Sequence, residues 1–205
     1  MIIRKLILRV LFNWFVMNPL LHLVMFPAFM WRNSKSNQDL EYNVDIRFLW
    51  IFWAFFRQVP SYAAILFELG IFVLVEEVGF YYSHLALHSS ILYKHIHKIH
   101  HEWTAPVGLT ALYAHPLEHI LSNLLPIAMG PLLMGSHLVT TWIWYCLALV
   151  STIISHSGYH LPLLPSPEFH DFHHLKFTQC FGVCGLLDYI HGTDQLFRYR
   201  FSNSS

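Results

Sequence analysis

Ten of the sixteen histidines in this 205-residue chain fall into four tightly spaced groups: His84-x-x-x-His88, His97-x-x-His100-His101, His156-x-x-x-His160 and His170-x-x-His173-His174. On a helix, residues three and four apart share a face, so each group is predicted to aim its imidazoles one way. Imidazole suits zinc and iron, and spacing of this kind is what a metal site needs. Ten ligands overfill one ion, so two ions are expected. The constraint on the fold is severe, because groups separated by up to 90 positions must meet.

Composition says where they meet. The chain is 55% apolar and only 12% charged, against roughly 25% charged in ordinary soluble domains. Too little polar surface remains to coat a soluble globule. Formal net charge is zero with neutral histidines, which gives no basic surplus for nucleic acid. Cys146, Cys180 and Cys184 form no CxxC pair and read as small packing residues rather than a disulfide or zinc framework. A sequon at 203–205 lies at the extreme terminus and carries no weight.

Four stretches are apolar enough to enter a bilayer: 6–31, 62–83, 120–134 and 138–155, where a crossing takes about 20 residues. The first follows Arg4, Lys5 and Arg9 but has no small-residue cleavage site, so it reads as an uncleaved anchor rather than a signal peptide. The third contains Pro126 and Pro131 and is predicted to kink or stop short. Gly135-Ser136-His137 makes the last two a hairpin. A run at 48–56, flanked by Arg47 and Arg57 after the polar link 32–45, is too short to span and is expected at the interface. His84 directly follows the second stretch and His156 the fourth. This order places all ten histidines at one membrane face, with Lys94, Lys98, Lys176, Arg198 and Arg200; by the positive-inside rule that face is cytosolic.

Metal-bound imidazoles usually give their other N–H to a carboxylate or carbonyl. Glu76, Glu77, Glu118 and Asp171 are candidate partners, Glu76 lying two helical turns before His84 on the same face. Polar contacts between helices are the alternative reading for these acids. His115 and His119 in His115-Pro116-Leu117-Glu118-His119 are read as ligands or supporting groups. His22, His95, His137 and His191 read as ordinary polar or interfacial residues.

At this point the residues resemble the membrane fatty acid hydroxylase and sterol desaturase superfamily over roughly 68–197. Ala105-Pro106-Val107-Gly108, Tyr113-Ala114-His115-Pro116-Leu117-Glu118 and Asp188 through Gly192-Thr193-Asp194 look most like its sterol 4-methyl oxidase branch. The resemblance implies an endoplasmic reticulum protein with a cytosolic di-iron site, dioxygen as oxidant and a membrane lipid as substrate. It implies electrons from NADPH through cytochrome b5 and its reductase, as separate proteins. Zinc in recombinant protein would fit the same ligands.

The expected fold is therefore all-α: a polytopic membrane protein of about four spans with a cytosolic, histidine-rich di-metal cap. Residues 1–60 are expected to form an anchor and linker, and 61–205 the histidine-box domain. The expected function is hydroxylation of a sterol or another long-chain lipid, with desaturation at the same site as the alternative. A metal transporter would place its ligands within the spans, and a metal-stabilised scaffold without activity is a third possibility.

Overall fold

The structure is a computed structural model that describes residues 2–21, 23, 24, 59–162 and 164–202. His22, the stretch 25–58 with its polar link and short apolar run, and the sequon at 203–205 lie outside the described residues. Among the described residues every regular element is helical.

Helix α1 (Ile2–Phe12) runs into a π-helical turn, Asn13–Met17. Helix α2 (Tyr62–Leu87) starts where the Ser61 hydroxyl accepts from the Ala64 amide at 3.3 Å, and His88 caps its end. Its 26 residues correspond to about 39 Å, more than the roughly 30 Å hydrocarbon layer. Short pieces follow: α3 (Ser90–His95) and two 3-10 turns, His97–Glu102 and Gly108–Leu112. Then α4 (Pro116–Glu118), a π-turn (His119–Leu124) and α5 (Leu125–Met134) form one helical path. Gly135 reverses the chain at φ 62°, and α6 (Leu138–Ser155) returns, its first turn capped by His137, whose Nδ1 accepts from the Val139 amide. Helices α7 (Pro167–Lys176), α8 (Leu186–His191) and α9 (Gln195–Ser202) complete the described chain.

Two helical stretches are long and apolar enough to cross a membrane, Pro116–Met134 and Leu138–Ser155. Helix α2 differs from them in carrying Glu68, Glu76 and Glu77, and the stretch 6–31 is described only in part. The third stretch does not stop short at its prolines. A proline ring clashes with the carbonyl four residues earlier; for Pro126 that residue is Ser122, inside the π-turn, where the wider winding gives the ring room. Pro131 leaves the Ile127 carbonyl without its helical donor, and the Trp144 indole N–H on α6 supplies one at 2.9 Å.

The helices pack closely where glycine allows it. A Cβ on Gly130 of α5 would sit 2.8 Å from the Phe72 ring and 3.1 Å from its Cα on α2. Phe72, Trp144 and Ala148 form the buried core joining α2, α5 and α6. A second core joins Leu6 and Val10 of α1 to Tyr113. There Asn13, fully buried, donates from Nδ2 to the carbonyls of Leu112 and Ala114, both at 3.1 Å. The helical hairpin thus brackets α2, and the connections at one end of the bundle carry the histidines.

Candidate metal centre

Nine of the ten grouped histidines converge into two sets. His84, His88, His97, His101 and His173 form one; His100, His156, His170 and His174 form the other, and within each set one nitrogen per ring lies within 4.8 Å of all the others. The sets adjoin, with the His101 ring 4.6 Å from that of His174. Each three-histidine group is shared between the sets, a correction to the expectation that a group aims one way. Neighbouring residues on a helix diverge by about 100°, so on α7 His170 and His174 face one set while His173 faces the other. The group at 97–101 lies on a 3-10 turn rather than an α-helix, and there His97 and His101 part from His100.

His160 joins neither set. Helix α6 ends at Ser155, His156 is its cap and Gly158 turns the chain at φ 73°, so the four-residue spacing has no helix under it. His160 is exposed.

The hydrogen bonds behind the rings fix their tautomers. Nδ1 of His84 donates to the Phe181 carbonyl at 2.7 Å, and that of His173 to the Gln179 carbonyl at 2.7 Å. His156 donates to the Thr152 carbonyl at 2.9 Å and His100 to the Tyr113 carbonyl at 3.3 Å, while Nδ1 of His97 is paired with Oε1 of Glu118 at 2.7 Å. A carbonyl only accepts, so Nδ1 carries the hydrogen and Nε2 holds a bare lone pair. Yet Nε2 of His100 and Nε2 of His156, in two rings whose tautomers carbonyls fix, lie 3.5 Å apart. Two bare lone pairs so placed repel; a cation between them removes the conflict.

The spacing suits such a cation. Ligand nitrogens at right angles about a metal, each about 2.1 Å from it, are about 3.0 Å apart. The Nε2–Nε2 separations His97–His101, His88–His173 and His101–His173 are 3.0, 3.1 and 3.2 Å, and His156–His170 and His170–His174 are 2.9 and 3.0 Å. Burial keeps the rings neutral, as ligands must be. His88 and His100 are lowered to about 4 and His156 to about 3. His97, His101, His170, His173 and His174 are also lowered, with burial the largest cause and the facing imidazoles adding to it.

Of the residues expected to support the ligands, Glu118 does so directly through His97. Glu77 acts one step removed. Its carboxylate accepts the backbone amides of Val183, Cys184 and Leu187 at 2.9, 2.8 and 3.1 Å. Asp188 accepts those of Phe181 and Gly182 and the Thr193 hydroxyl. Together they pin the loop whose carbonyls hold His84 and His173. Gly182 lies between the two acids, and a Cβ there would be 2.7 Å from Oε1 of Glu77 and 2.8 Å from Oδ2 of Asp188. Sequence reasoning missed this loop as a support, since backbone carbonyls have no residue signature.

Glu76 lines a cavity of about 70 Å³ together with His84, His97, His100, His156 and His170. No hydrogen bond ties its carboxylate to the described residues, so it is open to whatever enters. Asp171 is half-buried, with no hydrogen bond to a histidine among the described residues. His115 caps α4 by accepting from the Leu117 amide, and His119 donates from Nε2 to Oδ1 of Asn18 at 2.8 Å; neither touches the nitrogen sets. His95 is exposed, and His191 stacks on Tyr81 and meets the Tyr82 hydroxyl.

Comparison with known proteins finds relatives over the stretch that carries these histidines. Residues 69–193 match the Fatty acid hydroxylase family. Human fatty acid hydroxylase domain-containing protein 2 is 62% identical over 142 residues, 69% of this chain and 43% of its own length. Methylsterol monooxygenase 2-2 of Arabidopsis thaliana is 34% identical over 206 aligned positions, 95% of this chain and 70% of its own. A very-long-chain aldehyde decarbonylase of rice (Oryza sativa) is 38% identical over 152, covering 68% and 56%. The chain spans less than half the length of the human relative. No solved structure matches it. Because the matched stretch contains all nine converging histidines and more than half of the chain, the protein belongs to the fatty acid hydroxylase family.

Proposed function

We propose that each nitrogen set holds one iron ion and that the protein is a dioxygen-dependent lipid hydroxylase, acting on a sterol or a comparable long-chain lipid. The observation that carries this reading is the set of buried Nε2 atoms, four of them fixed as lone pairs by carbonyl acceptors behind their rings and spaced as ligands about a shared ion. Two irons bound there would supply the activation of dioxygen and the removal of hydrogen from an unactivated C–H bond. The overall change would be R–H + O2 + 2 electrons + 2 protons giving R–OH + H2O. The electrons would come from NADPH through cytochrome b5 and its reductase.

The chain's own residues orient, dry and supply protons. The loop pinned by Glu77 and Asp188 holds His84 and His173 in register, and Glu118 does the same for His97. Phe80, Phe169, Ile127 and Val183 line the cavity and limit the water that reaches it. Glu76 is the acid placed to hold or release a proton there. The methylsterol monooxygenase named above supports a sterol, and the largely apolar bundle supports any lipid.

We place the histidine end at the cytosolic face of the endoplasmic reticulum membrane, with α1, α2 and the hairpin embedded. Lys5 and Arg9 of α1 share a surface cleft with Glu102 and Tyr113 beside the second histidine group, which supports one basic face. Residues 1–60 would be the anchor and linker and 61–205 the catalytic unit. Two measurements test the reading. Metal analysis of detergent-purified protein should find two ions per chain, whereas one or fewer in folded protein would defeat it. Sterol and sphingolipid profiles of cells with and without the protein should reveal an accumulating precursor; no change in any lipid would remove the hydroxylase assignment.

A further inference from the structure

A cleft of about 490 Å³ opens between α1 and the 3-10 turn His97–Glu102. That volume falls within the range of about 300–1,000 Å³ typical of ligand pockets. The cleft shares no lining residue with the cavity beneath the histidines. Whatever fills it is therefore not the molecule that reacts.

One wall is a stripe of α1. Lys5, Leu8, Arg9 and Phe12 recur at the three- and four-residue steps that share a helix face. Lys5 and Arg9 are separated by about 6 Å of helical rise, a span that one phosphate group can bridge. Neither cation is neutralised by the protein: the ion pairs among the described residues are His97–Glu118 and Arg198–Asp194. Leu8 and Phe12 stand beside them 57% and 43% exposed. The opposite wall holds Glu102, whose Oε2 accepts from the Tyr113 hydroxyl at 2.7 Å. Two cations facing one carboxylate leave a single positive charge. A phosphodiester carries one negative charge, whereas a phosphomonoester carries about 1.5–2. Unpaired cations beside uncovered apolar side chains fit a phosphodiester attached to hydrocarbon.

We infer that this cleft seats the headgroup of a phospholipid, its phosphodiester between Lys5 and Arg9 and the start of an acyl chain along Leu8 and Phe12. The occupant reaches the metal centre through the backbone. Tyr113 lines the cleft, and its carbonyl accepts from Nδ1 of His100 at 3.3 Å. Ile99 and Glu102, which also line it, flank His100 and His101 on the same turn. A seated headgroup thus braces α1 against the turn that carries two candidate ligands. That last step rests on the metal reading; the headgroup site does not.

The full chain, purified in detergent with its metal and stripped of lipid, is titrated with dioleoyl phosphatidylglycerol, and bound lipid is counted by native mass spectrometry. The tightest binding should saturate at one lipid per chain. The double variant Lys5→Gln/Arg9→Gln should need at least about tenfold more lipid. Arg4 is exposed next to Lys5 but lies outside the cleft, so Arg4→Gln should change nothing. If the double variant does not fold, Lys5→Gln alone, on an exposed side chain, should need roughly fivefold more. Equal weakening by Arg4→Gln would mean attraction to a basic surface without a site. Full competition by inorganic phosphate would mean a site for a free anion. Either result, or unweakened binding in the cleft variants, overturns the inference. Lipid should also slow release to a chelator of one of the two ions in the unaltered chain, and not in the double variant. Lipid bound without that slowing, in a chain holding two ions, removes the link to His100. Two ions held and no lipid bound sinks the cleft alone, and lipid bound by a folded chain that takes up no metal sinks the metal reading alone.

Discussion

The two nitrogen sets are built from the same side chain but held by different means. In the five-histidine set, His84 and His173 rest on carbonyls of the 179–183 loop, and two acids pin that loop by its amides. In the four-histidine set, His156 rests on the last turn of α6 and His100 on the Tyr113 carbonyl. The chain on either side of Tyr113 is held by Asn13 of the first helix. One set thus depends on buried charge satisfied by backbone amides, the other on neutral hydrogen bonds between apolar helices. Hydrogen bonds to charged groups contribute about 1.5–3 kcal/mol and neutral ones about 1. Ions held at the two sets, as proposed, are therefore expected to differ in how easily each is lost, and to respond to different lesions.

The strongest way to break that comparison is to remove a ligand from each set. His173→Ala and His100→Ala should each abolish turnover and lower metal content from two per chain to one or less; retention of two ions in either variant would mean the sets are misassigned. Next, Glu77→Gln replaces an acceptor of three amides by a group with only one acceptor oxygen. Metal affinity should fall about 10–100-fold at the five-histidine set and hold at the other, as read by titrating metal-depleted protein. Equal loss at both would erase the distinction drawn above. Asn13→Leu should do the converse more gently, weakening the four-histidine site by roughly tenfold or less. His160→Ala and His191→Ala should leave metal content and turnover unchanged. An ion lost with His160 would show that the turn after α6 folds inward once metal is bound.

Much of the centre was legible in the sequence because imidazole is scarce and its spacing informative. Nine of the ten grouped histidines converge, and connectivity alone required the hairpin to bring His156 and the 170–174 group back to His84. Glu118 was legible as a partner because a carboxylate so near a histidine group has few other uses. The division of each three-histidine group between two sets was not legible. It depends on the angle between adjacent residues and on a 3-10 turn that the letters at 97–102 do not announce. Glu77 was singled out as an imidazole partner but holds a loop instead, and that loop acts through main-chain atoms common to every residue. The prolines of the third stretch were read by their usual effect, which a π-turn and an indole hydrogen absorb here.

That indole has a consequence for how the hairpin can change over evolutionary time. Pro131 depends on Trp144, to which it is linked through the Ile127 carbonyl. Losing the tryptophan first strands that carbonyl, and a buried acceptor left unsatisfied costs about 1–3 kcal/mol. Losing the proline first restores a helical donor, after which the tryptophan is free to drift. Descent through this pair should thus run in one order, and descendants that keep proline without a donor opposite it should be absent.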